Sequence, residues 1–289
     1  MSELSRPGIA RVPIGRVSGT SLRTDDDALA VEEPLEIRLV YRRDGSLRQK
    51  NVAITMRTPS DDIDLALGFL FTEGLIRSSD DVASARPVGP AQGALQVHGV
   101  VQVELTEGVA IDLTRLERHF YMSSSCGVCG KASIEALAVC GAKRLEDASF
   151  TLAADVLHGL PDTLREAQEV FDRTGGLHAA ALFEATGQLV ALREDVGRHN
   201  AVDKLIGSQL QVGRVPLSNQ ALLVSGRASF ELVQKSVMAG LPLLAAVGAP
   251  SSLAVELAQQ YGQTLIGFLR GGRFNVYSGA QRIAGTTSG

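Results

Sequence analysis

The sequence predicts an α/β fold, with a layered α/β domain preceded by a smaller, strand-rich N-terminal subdomain. Three observations carry this. Beyond residue 150, strand-like and helix-like segments alternate, as they do when helices cover a sheet. The strand-like segments there, 221–224, 243–247 and 264–269, are short unbroken apolar runs, the pattern of strands buried on both faces. Before residue 125, period-two alternation and turn residues dominate instead, which reads as hairpins. The chain therefore divides into a polar N-terminal arm over residues 1–30, a strand-rich subdomain over 31–125 and an α/β domain over 126–289.

Element by element, the arm holds one short strand near 9–17. Segments 34–41 and 52–56 alternate apolar and polar residues, and Asp44-Gly45-Ser46 turns one into the other. A helix follows: Ser60 is its expected cap, and Asp61, Asp62 and Asp64 load its first turn with negative charge. Ile63, Leu67, Leu70 and Phe71 make its apolar stripe, and Gly74 stops it. Residues 96–105 read as a strand, 108–113 as a short one, and 86–93, with two Pro and two Gly, as a loop. Further on, Pro161 is expected to open a helix that runs to Phe171 and stops at Gly175-Gly176. A hairpin around Gly187 joins 179–184 to 188–192. Helices are expected over 200–210, over 229–239 with Ser229 as cap and Gly240 as stop, and over 252–261.

Composition narrows the function classes. The chain has 289 residues, 45% hydrophobic and 21% charged, enough to build a sizeable core. It lacks a run of about 18 apolar residues, so no membrane helix is expected, and its start does not read as a secretory signal. Three cysteines do not make a disulfide framework and suit a reducing cytoplasm. With 4% aromatics, no Trp and a net charge of -4, general nucleic-acid binding is not expected. An anionic ligand must then be met by a local cluster of positive charge.

Two of the cysteines, Cys126 and Cys129, stand three positions apart in a Gly- and Ser-rich run, Ser123-Ser124-Ser125-Cys126-Gly127-Val128-Cys129-Gly130-Lys131. An apolar stripe of Ile134, Leu137 and Ala138 follows, so the thiols sit on a loop that feeds a helix N-terminus. There the exposed N–H groups, with Lys131 nearby, favour thiolate over thiol. This spacing alone fits half of a zinc site, a redox dithiol or sulfur chemistry. Cys140 lies roughly 15 Å along that helix from Cys129, too far for one zinc, and no histidine shows ligand spacing with the pair. Cys140 reads as a small buried hydrophobe, a structural zinc is disfavoured, and no resident metal is expected.

Polar residues concentrate where strands end, the usual place for ligands in layered α/β domains. One such junction is Arg193-Glu194-Asp195-Val196-Gly197-Arg198-His199-Asn200, and a second is Ser225-Gly226-Arg227-Ala228-Ser229. The third, after the last long strand, is Phe268-Leu269-Arg270-Gly271-Gly272-Arg273. Arginine beside glycine at a helix start suits a phosphate, and a carboxylate such as Asp195 suits the donor edge of a guanine. Each loop also reads as a solvated turn in which Asp195 and His199 are caps. Three basic junctions in one half favour an anionic, nucleotide-like ligand. His178 either lines this site or is a core histidine.

Taken in order, these segments closely resemble the formate dehydrogenase accessory sulfurtransferase family (FdhD). The matching stretches are Glu32-Glu33-Pro34-Leu35, 56–74, 125–131, 174–180, 193–207, 222–240, 245–256 and 265–277. The resemblance implies a cytidine-deaminase-like α/β part, a smaller subdomain and a homodimer. It implies a sulfurtransferase that takes persulfide sulfur from a cysteine desulfurase. The sulfur would pass to the molybdenum of a bis-molybdopterin guanine dinucleotide cofactor before the formate dehydrogenase apoenzyme becomes active. The persulfide cysteine of the family falls on Cys126, with Cys129 as companion, and the cofactor-binding segment on Phe268, Leu269, Arg270, Gly271, Gly272 and Arg273. Asp195, His199 and Arg227 join that cofactor-binding set from the reading of the other two junctions.

Three rival readings make different demands. A thioredoxin-type oxidoreductase would carry its dithiol early, after a first strand. A zinc nucleoside deaminase needs His-x-Glu and Pro-Cys-x-x-Cys, whereas Ser125 precedes Cys126 and no histidine has Glu two residues on. A non-catalytic chaperone that binds cofactor and formate dehydrogenase would not need Cys126 at all.

Overall fold

The computed structural model describes residues 8–92, 97–109, 111, 141–145 and 149–286. Cys126, Cys129, Cys140 and the helix expected beyond them lie outside the described residues.

The described chain opens with an antiparallel ribbon of β1 (Ile9–Ser18) and β2 (Ser21–Ala30). The expected arm thus contains two strands. The second was illegible because Asp25, Asp26 and Asp27, poor strand formers, occupy its centre; pairing with Ile14, Pro13 and Val12 supplies what propensity does not. A four-stranded sheet follows, ordered β4-β3-β6-β5, from β3 (Glu33–Arg43), β4 (Ser46–Arg57), β5 (Val82–Gln92) and β6 (Val97–Leu105). The expected β3–β4 hairpin is present, and Asp44 and Gly45 at its turn have φ of 51° and 73°. Left-handed backbone at both positions is what a two-residue hairpin turn requires. The loop expected over 86–93 is instead largely β5. Pro87 and Pro90 are tolerated because β5 is an edge strand, and a register shift between Val88 and Ala91 absorbs Gly89 and Pro90.

α1 (Asp62–Thr72) packs on this sheet and ends before Gly74, whose φ is 70°. Its cap position is Asp61, and no side chain caps it, so Ser60 does not play the expected part. Arg57, fully buried, instead ties strand to helix through a bidentate pair with Asp62 at 2.8 and 2.9 Å.

The second half begins with β7 (Leu152–Ala153), α2 (Ala154–Ala167) and α3 (Glu169–Thr174). Pro161 lies inside α2 rather than opening it. Buried Leu157, Leu160 and Leu164 carry this helix through the backbone bond that proline deletes. The remaining elements are β8 (His178–Phe183), β9 (Leu189–Asp195), α4 (Arg198–Gln211), β10 (Ala221–Val224), α5 (Phe230–Met238), β11 (Leu243–Ala246), α6 (Ser252–Tyr261), β12 (Thr264–Arg270), β13 (Arg273–Ser278) and β14 (Ile283–Ala284). They build a six-stranded sheet ordered β13-β12-β11-β10-β8-β9, in which only β10, β11 and β12 run parallel.

This sheet is buried on both faces. Ala180, Leu182, Leu222, Val224, Leu244 and Leu265 face one core, shared with α1, α4 and the four-stranded sheet. Ala179, Ala181, Phe183, Leu223, Ala245 and Ile266 face a second core, closed by α2. Period-two alternation with both sides apolar is what makes the strands read as unbroken hydrophobic runs. The first core extends from Leu35, Ile37 and Leu39 through Leu65 and Leu205 to the six-stranded sheet, so the two halves share one interior. Among the described residues, no helix is long and apolar enough to cross a membrane.

Candidate functional site

The carboxyl ends of β10, β11 and β12 fall on one edge of the six-stranded sheet because these strands are parallel. Antiparallel pairing brings two more groups there: Ala180 pairs with Val224, and His178, two residues earlier, pairs with Asp195 at the end of β9. The edge thus gathers His178, the β9–α4 junction, the β10–α5 junction and the end of β12. All three sequence-predicted junctions meet on it.

The loops interlock through their backbones. Gly248 N–H donates to Gly226 O at 2.9 Å, Ala228 N–H to Ala249 O at 3.2 Å, and Phe268 N–H to Gly248 O at 3.0 Å. A Cβ at Gly248 would lie 3.0 Å from Gly226 O, and one at Gly267 only 2.7 Å from Pro250 Cδ. Glycine at these positions lets the three loops lie against one another.

Asp195 is fully buried and every acceptor direction is engaged. Lys204 Nζ lies 2.7 Å from Oδ2, and the Thr58 N–H donates to the same oxygen at 3.2 Å. Gly197 N–H and Asn200 Nδ2 donate to Oδ1 at 2.8 and 3.0 Å. The carboxylate anchors the β9–α4 turn to the end of β4 and has nothing left for a guanine edge. His199 is half-buried, with Nε2 3.3 Å from Ser229 Oγ and 3.8 Å from Glu231 Oε2. This imidazole, helped by the backbone and by Ser229, holds the Glu231 carboxyl at about 2.

Arg227 is exposed, and Arg198 at the first turn of α4 has a buried Nε without a hydrogen-bond partner. Neither has an ion-pair partner among the described residues. Arg198 stands inside the first polar junction, and the arginine-beside-glycine pattern that singled out Arg227 applies equally to Gly197-Arg198. His178 is half-buried, its ring so close that a Cβ at Gly226 would sit 3.4 Å from Nδ1. Burial foremost, then the nearby Arg198 and His199, hold the His178 imidazole below its usual range.

The third junction is a hairpin turn rather than a strand-to-helix passage. Arg270 pairs with Arg273 across Gly271 and Gly272, whose φ values are 59° and 69°. Because Ala245 aligns with Ile266, the turn stands roughly 10 Å beyond the edge. Phe268 takes a left-handed φ of 54°, and the Arg270 guanidinium lies 5.9 Å from its ring centroid. Leu269 is 1% exposed and belongs to the second core, so its side chain holds the turn in place. Arg270, Gly271, Gly272 and Arg273 are exposed.

Fold and edge together define a mixed α/β protein whose sheet ends in a basic, glycine-lined rim. The FdhD/NarQ family model matches residues 30–284, and the chain belongs to that family. A Streptomyces avermitilis protein named sulfur carrier protein FdhD is 53% identical over 271 residues, covering 93% of each chain. One of the same name from Sulfurisphaera tokodaii is 43% identical, covering 95% of this chain and 99% of that one. A Desulfotalea psychrophila crystal structure, described as that of a candidate formate dehydrogenase accessory protein, matches with a TM-score of 0.72 and 25% identity, covering 96% of this chain and all of that one.

Proposed function

We propose that this protein is a sulfur carrier for formate dehydrogenase, passing sulfur from a cysteine desulfurase to a bis-molybdopterin guanine dinucleotide cofactor. The observation that carries the reading is the likeness, over 93% of both chains, to a protein named as a sulfur carrier. Cys126 is the assigned carrier. Its thiolate attacks the terminal sulfur of the desulfurase persulfide, and the donor S–S bond breaks to release the donor thiolate. Cys126 is left as a persulfide, whose outer sulfur is the one delivered to the metal. Cys129 assists that transfer.

The cofactor is cargo here, and the sheet edge has the donors for its phosphates. Arg198, Arg227, Arg270 and Arg273 carry charge that no described carboxylate neutralises, and α4 and α5 point their N-termini at the same rim. Because Asp195 is spent internally, a guanine would be met near the projecting Arg270–Arg273 turn. As the family resemblance implies, the reading includes a cytidine-deaminase-like layering, a homodimer and a cytoplasmic location.

The test is intact-protein mass spectrometry after incubation with a cysteine desulfurase and cysteine. A gain of about 32 Da, one sulfur added by thiolate attack, is expected on the wild type. It should vanish with reductant and be absent from Cys126→Ala. Sulfur on neither protein would leave a cofactor-binding chaperone as the better account, and equal sulfur on the variant would move the carrier to a different cysteine.

A further inference from the structure

The rim holds one group that the proposed sulfur chemistry does not use. His178 lies at the start of β8, its ring against Gly226, between the turns that open α4 and α5. It pairs with Asp195 across β8 and β9, and the charges that act on its ring are those of Arg198, His199 and Asp195 from the β9–α4 turn and of Arg227 from the β10–α5 turn. Glu231, at the start of α5, is paired with His199 at 3.8 Å. The negative charge of Asp195 is already matched by Lys204 at 2.7 Å. Without a ligand, His178 therefore sits in a net-positive, partly dry setting, and each of burial, Arg198, His199 and Arg227 works against a proton on its ring.

A phosphate group reverses that setting. Seated against Arg198 and Arg227 at the start of α4, it brings up to two negative charges to a place where Asp195 and Glu231 are already engaged by Lys204 and His199. The balance for a second proton-bearing nitrogen then changes sign, and a protonated imidazole becomes a further donor to the anion.

We propose that His178 is a ligand-contacting residue of this rim that takes one proton from solvent when a phosphate-bearing ligand seats between Arg198 and Arg227. This rests on the reading that the edge receives a nucleotide-bearing cargo. It goes further in assigning the phosphate to the Gly226 turn rather than to the projecting Arg270–Arg273 turn, and in coupling binding to a proton. Grip on the cargo then tightens as pH falls and loosens as it rises. The affinity changes by up to tenfold per pH unit between the free and bound titration points of His178.

Calorimetric titration of the full chain with GDP, and separately with guanosine, tests this between pH 6 and 8.5 in buffers of different ionisation enthalpy. Wild type should take up close to one more proton per GDP than His178→Gln, whose affinity should be nearly flat with pH. Guanosine, lacking phosphate, should bind without uptake by either. A wild-type imidazole titration followed by NMR reads the same quantity without a substitution, and the His178 midpoint should move up when GDP is added. GDP binding with equal uptake by both proteins, or an unmoved midpoint, would overturn the assignment to His178 alone. No binding of GDP at any pH would overturn the nucleotide reading of the edge, and this inference with it.

Discussion

Asp195 shows what a single side chain does at this rim. Its four internal partners pull the end of β9, the first turn of α4 and the end of β4 into one arrangement. Lys204 adds a 2.8 Å bond to Thr58 O, and Asn200 donates to Met56 O at 2.7 Å. Arg198 and His199 are aimed by this network although they take no part in it. Removing one charge of a buried pair strands the other, at a typical cost of about 3–5 kcal/mol. Asp195→Asn should lower stability by about that amount in chemical denaturation, and Lys204→Met added to it should recover a large part. A ligand-only role for Asp195 would instead leave stability unchanged and lower affinity. From the sequence, guanine recognition and helix capping were both open for this carboxylate; the choice turns on Lys204 and Thr58, nine residues on and 137 back.

At the scale of elements, the crossing of α1 and α4 joins the two halves. Gly68 and Gly207 meet there, and a Cβ on either would collide with the backbone oxygen of Asp203 or Asp64. Beside them Lys235 of α5 is held between Asp203 at 2.9 Å and Glu73 at 3.3 Å. Gly207→Ala should cost at or above the upper end of the ~1–3 kcal/mol typical of overpacking. Thermal unfolding should show that loss, whereas Gly213→Ala, in open space at a φ of 68°, tests backbone strain alone. The strands and helices around this crossing were legible from periodicity and stop signals: 221–224 and 252–261 coincide with β10 and α6. β2, β5 and the start of α2 were not, since their Asp, Pro and Gly residues are tolerated by strand pairing, by an edge position and by the leucine-rich face of α2.

The whole molecule decides whether the three basic junctions are one site or several. Parallel β10–β11–β12 and antiparallel β8–β9 bring them to a single rim, with the Arg270–Arg273 turn projecting past it. Arg227→Ala and Arg273→Ala should each weaken GDP binding about tenfold or more, the usual scale for a charge-assisted bond. Both side chains are exposed, so melting temperatures should stay within the small range of surface changes. Wild-type affinity in either variant, measured by calorimetry, would move the ligand off that part of the rim. The sequence by itself determined the family, most elements of the second half and the residue types of the rim, because local patterning and short motifs are written in neighbouring residues. Only the tertiary structure decided that Asp195 faces inward, that His178 packs on the Gly226 turn, and that the third junction is a hairpin. Each of those depends on strand order and on partners far away in the chain, which no local pattern encodes.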